Sequence, residues 1–121
     1  MNNSLALAYL GDSVFELYIR YYLINKGIIK VNELQKEATK YVSAKGQTFI
    51  LKYLVDNNIL TDDEIVIVKR ARNHKSHKSP KNTDIITYKL ATGLEALIGY
   101  LYLNDKDRLE EIMNIVKEVL C

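Results

Sequence analysis

Two acidic residues stand where a helix has little use for them. Asp12 lies between apolar turns, with Ala8 one turn before it and Phe15 almost one turn after. Aspartate is poor inside a helix because its short side chain competes for backbone hydrogen bonds. Gly11 beside it costs a helix about 1 kcal/mol relative to alanine, so something is expected to approach the backbone closely there. Glu95 lies in a strongly apolar stretch, flanked by Leu94, Ala96, Leu97 and Ile98. A carboxylate in such surroundings shifts its pKa or finds a cation. Taken singly, each acid reads as a cap for a neighbouring helix or as the partner of a buried Arg or Lys. Taken together, one mid-helix acid on each of two apolar helices, meeting in an oily interior, reads as a divalent-ion site as readily as a structural pairing. Oxygen-only ligands suit Mg²⁺ or Mn²⁺ and not zinc.

A second feature is electrostatic. Seventeen basic against fifteen acidic residues give a net charge of only +2. From Lys69 to Thr83, however, Lys69, Arg70, Arg72, Lys75, Lys78 and Lys81 occur with both histidines and no acid, which leaves eleven basic against fifteen acidic residues, or −4, elsewhere. A charge run is usually a solvated face, but fifteen residues without a compensating acid favour binding to a polyanion. His74 and His77 have the spacing of a metal pair, yet their cationic surroundings would repel a cation, so loop or phosphate contacts are expected. Residues 73–83 contain the only proline and no apolar side chain, and read as an exposed loop.

The elements that must position these residues read as helices throughout. The first begins at an Asn3 or Ser4 cap, carries Leu5, Ala8, Phe15 and Ile19 with Leu7, Tyr18 and Tyr22 at three- and four-residue steps, and stops at Gly27. Asn32 with Gln35 resembles a capping box for a second helix to about Tyr41. Ser43 starts a third, with an apolar stripe of Phe49, Ile50, Tyr53, Leu54 and Val55, which ends at Asn57-Asn58. Thr61 with Glu64 forms a capping box for a fourth, to about Arg72. Asn82 or Thr83 caps a fifth from Asp84 to about Leu103, apolar on nearly all sides and therefore central. The sixth runs from about Lys106 to Leu120. With 121 residues, 48% apolar and 26% charged, the chain is expected to be one all-α domain with a substantial core and is not a disordered tail. No apolar run reaches the roughly 20 residues of a membrane span. The first residues do not read as a signal peptide, and the single cysteine, Cys121, allows no internal disulfide, so a reducing, cytoplasmic setting is expected.

Leu10-Gly11-Asp12-Ser13-Val14-Phe15-Glu16 resembles the signature helix of ribonuclease III, and Leu94-Glu95-Ala96-Leu97-Ile98-Gly99-Tyr100-Leu101-Tyr102-Leu103 is similar to that family's second motif. Both occur in the family's order. Leu7 to Asp12, Val42 to Lys45, Lys69 to Asn73 and Pro80 to Asp84 resemble the short bacterial branch, Mini-ribonuclease III, which lacks an appended double-stranded-RNA-binding domain. The resemblance covers essentially the whole chain, and residues 1–121 are expected to form one catalytic domain with no separate RNA-binding domain.

The resemblance implies a helical bundle of about six helices and a metal-dependent endoribonuclease that hydrolyses double-stranded RNA. It makes Asp12 and Glu95 the catalytic and metal-binding residues, with Mg²⁺ as cofactor and Mn²⁺ as a substitute. It also implies a homodimer whose two sites each cut one strand, and, from the short branch, maturation of precursor 23S ribosomal RNA. Full-length members carry an acid four residues before the aspartate and another three before the glutamate. Here those positions hold Ala8 and Thr92, and Glu16 and Asp84 are the nearest spare acids. Lys69, Arg70, Arg72, Lys75, Lys78 and Lys81 are the candidate RNA contacts, since duplex RNA is recognised through phosphates, 2′-hydroxyls and shape. The tyrosine-rich first helix (Tyr9, Tyr18, Tyr21, Tyr22) is a candidate for the dimer surface or for core packing. A non-catalytic RNA-binding domain on the same fold, and a protein-interaction module that binds no nucleic acid, are the competing readings.

Overall fold

The computed structural model describes residues 3–75 and 84–120. These form six α-helices: α1 (Ser4–Asn25), α2 (Val31–Val42), α3 (Ala44–Asp56), α4 (Asp62–Arg72), α5 (Ile85–Asn104) and α6 (Lys106–Val119). His77, Lys78, Pro80, Lys81, Asn82, Thr83 and Cys121 lie outside the described residues.

Most helix ends follow local chemistry. The Asn3 side chain accepts from the Leu5 and Ala6 amides at 3.0 Å, which satisfies two of the orphan donors of α1. Gly27, at φ +95°, takes the left-handed turn that closes the helix. Thr61 and Glu64 bond each other's amides reciprocally at the start of α4. Two expected caps differ. Lys30, not Asn32, precedes α2 and supplies no side-chain cap, and Asn32 sits inside the helix. Asp84 caps α5 itself, accepting from the Thr87 amide at 2.9 Å and the Thr87 hydroxyl at 2.8 Å. An ionised carboxylate is a stronger acceptor at a helix N-terminus than the neutral side chains before it.

Helix α5 is the hub. It packs against α1, α3, α4 and α6, and Leu94, Ala96, Leu97 and Ile98 have no exposed surface. Phe15, Ile19, Ile50, Leu54, Leu109, Ile112 and Val116 close the core around it. The apolar stripe of α3 is offset from the expected one. Ile50, Leu51 and Leu54 face inward together with Gln47 and Thr48, while Phe49, Tyr53 and Val55 are exposed. A helix that buries positions 47, 50, 51 and 54 leaves 49 and 53 on its outer flank.

The start of α4 is pinned to α6 by a mostly buried ion pair. Arg108 Nε donates to Glu64 Oε2 at 2.8 Å, Nη2 donates to Glu64 Oε1 at 2.8 Å and to the Ile59 carbonyl at 2.7 Å. The bidentate fork satisfies both carboxylate oxygens and holds Glu64 below the usual carboxylate range against the opposing effect of burial. Helix α1 is tied to α6 in the same way by a hydrogen bond from the Tyr18 hydroxyl to Glu110. Burial and that carboxylate push the Tyr18 phenol up to about 12.

Candidate active site

The site is built where α1 crosses α5. A Cβ on Gly11 would lie 2.7 Å from the Glu95 carbonyl carbon and 2.8 Å from the Gly99 amide nitrogen; one on Gly99 would lie 2.9 Å from the Leu7 carbonyl carbon and 3.1 Å from the Gly11 amide nitrogen. Each glycine therefore makes room for the other helix's backbone, and the two helices run antiparallel at contact distance. This is the close approach that an otherwise helix-weakening Gly11 implied.

The crossing sets Asp12, the residue after Gly11, beside Glu95, close enough for the Asp12 carboxylate to disfavour ionisation of Glu95. The pair is less buried than an oily interior would make it. Asp12 is exposed and Glu95 half-buried. Gly11 occupies the inward face of α1, so Asp12, about 100° around the helix, emerges at its edge. Burial, and then the adjoining Asp12 carboxylate, push the Glu95 carboxyl up to about 8, and the Gln47 amide opposes this. A carboxyl held above its ordinary range by burial and a neighbouring carboxylate is relieved by a nearby cation, and with oxygen donors alone the pair fits a hard divalent ion.

The positions that hold acids in full-length relatives are closed off here. Ala8 and Thr92 are 6% and 5% exposed. Ala8 packs with Leu7, Ala71 and Ala96, so the end of α4 fills the space that a longer side chain would need. Thr92 turns its hydroxyl back to the Tyr88 carbonyl at 2.9 Å. The spare acids have other roles: Glu16 pairs with Arg20 at 3.2 Å on the surface, and Asp84 is the α5 cap. Among the described residues no group of three or more His, Cys, Asp or Glu could hold a metal ion.

The same Ala71 contact brings the basic end of α4 beside the crossing, within one turn of both acids along their own helices. Lys69, Arg70 and Lys75 are exposed and Arg72 is half-buried. Among the described residues none of the four lies within ion-pair distance of a carboxylate. The tyrosines of α1 divide: Tyr9 and Tyr21 are exposed, whereas Tyr18 binds Glu110 and Tyr22 packs edge-on to Tyr41.

Sequence reasoning missed Gln47. It is 2% exposed, and its Nε2 lies 3.5 Å from Glu95 Oε2. The signal was its place three residues before Ile50 and four before Leu51, a polar residue in register with an apolar face.

Residues 5–106 match the family described as Ribonuclease III domain. The chain belongs to the ribonuclease III family. Within that family it is 50% identical to a Mini-ribonuclease 3 of Enterococcus faecalis, over 93% of this chain and 86% of the relative. It is 49% identical to a Mini-ribonuclease 3 of Brevibacillus brevis, over 100% and 87%. A crystal structure of a Fusobacterium nucleatum protein, 37% identical, superposes with a TM-score of 0.84 over 99% of this chain and 95% of that one. As a ribonuclease III the chain is a metal-dependent endoribonuclease of double-stranded RNA. No helix of the described residues is long and apolar enough to cross a membrane.

Proposed function

We propose that Asp12 and Glu95 are the catalytic pair, that they hold Mg²⁺, with Mn²⁺ as a substitute, and that the chain works as one catalytic domain on precursor 23S ribosomal RNA in the cytoplasm. The observation that carries the catalytic assignment is the close backbone approach of Gly11 to Glu95 and Gly99, which brings the neighbouring Asp12 to the side of Glu95. Mg²⁺ uses few protein carboxylates and keeps several waters, so a two-acid site is sufficient. When bound, the ion supplies an acidified water and a positive charge against the phosphate. Asp12, at the exposed edge, meets the substrate side; Glu95, on the immobile central helix, fixes the ion's position. Lys69, Arg70, Arg72 and Lys75, with Lys78 and Lys81, bind the RNA phosphates and deliver the backbone to the acids. The 23S assignment rests on likeness to the Mini-ribonuclease 3 relatives.

The functional unit in this reading is a homodimer, one site per strand. Tyr9, Leu17, Tyr21 and Ile24 leave an apolar strip along the outer face of α1, each more than half exposed, and a second copy is the occupant that two-fold symmetry and a duplex substrate favour. The deciding experiment is cleavage of a perfect RNA duplex in Mg²⁺, with and without chelator, by wild type, Asp12→Asn and Glu95→Gln. Loss of cutting in both folded variants is expected. Wild-type cutting by either would remove that residue from the catalytic pair, and a monomer by light scattering would remove the dimer.

A further inference from the structure

We infer that Gln47 is a positioning residue for the Glu95 carboxylate, holding one of its oxygens so that the other is presented to the metal; the inference rests on Glu95 being a metal ligand. A primary amide buried at 2% exposure is costly unless it is hydrogen-bonded, and the partner that Gln47 has is Glu95 Oε2, 3.5 Å from its Nε2. That contact is long, at the edge of hydrogen-bond range.

Both ends of the contact are fixed by backbone packing. On the Gln47 side, Ser43 caps α3 by accepting from the Gly46 amide at 3.1 Å. A Cβ on Gly46 would lie 2.8 Å from the Lys40 carbonyl carbon, so the corner between α2 and α3 closes on bare backbone immediately before Gln47. Immediately after it, the Thr48 hydroxyl donates to the Thr87 carbonyl at 2.9 Å and ties α3 to α5 about two turns ahead of Glu95. On the Glu95 side, the α5 backbone is clamped by Gly11. Neither helix can slide, so the amide dictates where the carboxylate turns.

An amide is the side chain that this task requires. Its NH₂ group donates to a carboxylate without bringing charge. A Lys or Arg at 47 would neutralise Glu95 and repel the ion. A Glu would add a third negative group to a pair that already crowds its charge.

The test is Gln47→Met, which keeps the unbranched shape and removes the donor, beside Gln47→Asn, which keeps the amide but shortens its reach. Mn²⁺ binding is measured without RNA by electron paramagnetic resonance, and the Mg²⁺ dependence of duplex cleavage is measured separately, with thermal melting to confirm folding. Gln47→Met is expected to weaken Mn²⁺ binding and to raise the Mg²⁺ needed for half-maximal cleavage about tenfold, with the KM for RNA unchanged and most of kcat regained at saturating Mg²⁺. Gln47→Asn is expected to move the same two readouts in the same direction, and it serves as the test if the methionine variant does not fold. Wild-type Mn²⁺ affinity and Mg²⁺ dependence in the folded variant overturn the inference. Glu95→Gln separates the two levels: Mn²⁺ binding unchanged in that variant sinks the reading of Glu95 as a ligand, whereas binding that depends on Glu95 but not on Gln47 sinks only the positioning role.

Discussion

The backbone of Gly11 lies so close to that of Glu95 that a single methyl group on the glycine would fall 2.7 Å from the glutamate's carbonyl carbon. Neither partner of this contact is a side chain that could rotate away. Alanine should therefore be strongly unfavourable at position 11, although it is the better helix former by about 1 kcal/mol. Gly11→Ala is expected to cost about 3 kcal/mol in chemical denaturation. A variant as stable as wild type would mean that the helices separate more easily than their packing implies.

On the proposed reading of the acid pair, stability is expected to depend on pH and on divalent ions. Glu95 holds its proton more tightly in the folded state, with its pKa raised from the ordinary 4.5 to about 8 by burial and by Asp12. A raised pKa contributes stability that is fully present below pH 4.5 and is lost as the pH climbs through about 8. In chelator, the melting temperature should drop by roughly 5–10 °C between pH 5 and pH 8, and Mg²⁺ should restore more of it at pH 8 than at pH 5. Asp12→Asn should flatten the slope by removing the neighbouring charge. Equal slopes for the two proteins would show that Asp12 does not set the Glu95 proton affinity.

Restoring the acid that full-length relatives carry four residues before the aspartate should harm this chain. Ala8 is packed against Ala71 and Ala96, and a longer side chain there has no room. Ala8→Glu is expected to destabilise the fold by about 3 kcal/mol without raising the cleavage rate. Increased activity in a variant of unchanged stability would contradict the packing argument.

Arg108 offers a contrast, a residue that matters for the fold alone. Its removal leaves Glu64, 6% exposed, without its cation and the Ile59 carbonyl without its donor. Arg108→Ala should cost about 3 kcal/mol while the folded fraction cleaves as wild type does. A change in cleavage at full folding would place the ion pair in the reaction. Because Glu64 is held below its ordinary carboxylate range, the contribution of this pair is present at neutral pH and fades in acid, the opposite trend to that of Glu95.

The six helices, the Thr61–Glu64 box, the Asn3 cap and the close backbone approach at Gly11 are legible in the sequence, because each leaves a local mark: a capping residue at fixed spacing, or a glycine where helices avoid it; the pairing of Asp12 with Glu95 is singled out there only by the family resemblance. What was not legible depended on which face turned inward. Asp12 was expected among apolar groups, but burial of Gly11 turns it outward. The expected α3 stripe is only half right, since Ile50 and Leu54 are buried but Phe49, Tyr53 and Val55 lie on the outer flank, and the inward place of Gln47 is masked by their apolarity. The Asn32–Gln35 pattern is a false cap because α2 begins at Val31, two residues before an Asn32 cap would start it.

Two acids that hang from backbones in direct contact inherit their relative geometry from the helices' placement and not from the rotamers of a surrounding core. Repacking remote layers, around Met113 or Val116 for example, can change how many molecules are folded at a given temperature. It has little leverage over how fast each folded molecule works, so natural drift in those layers is free to tune abundance and heat tolerance while turnover stays constant.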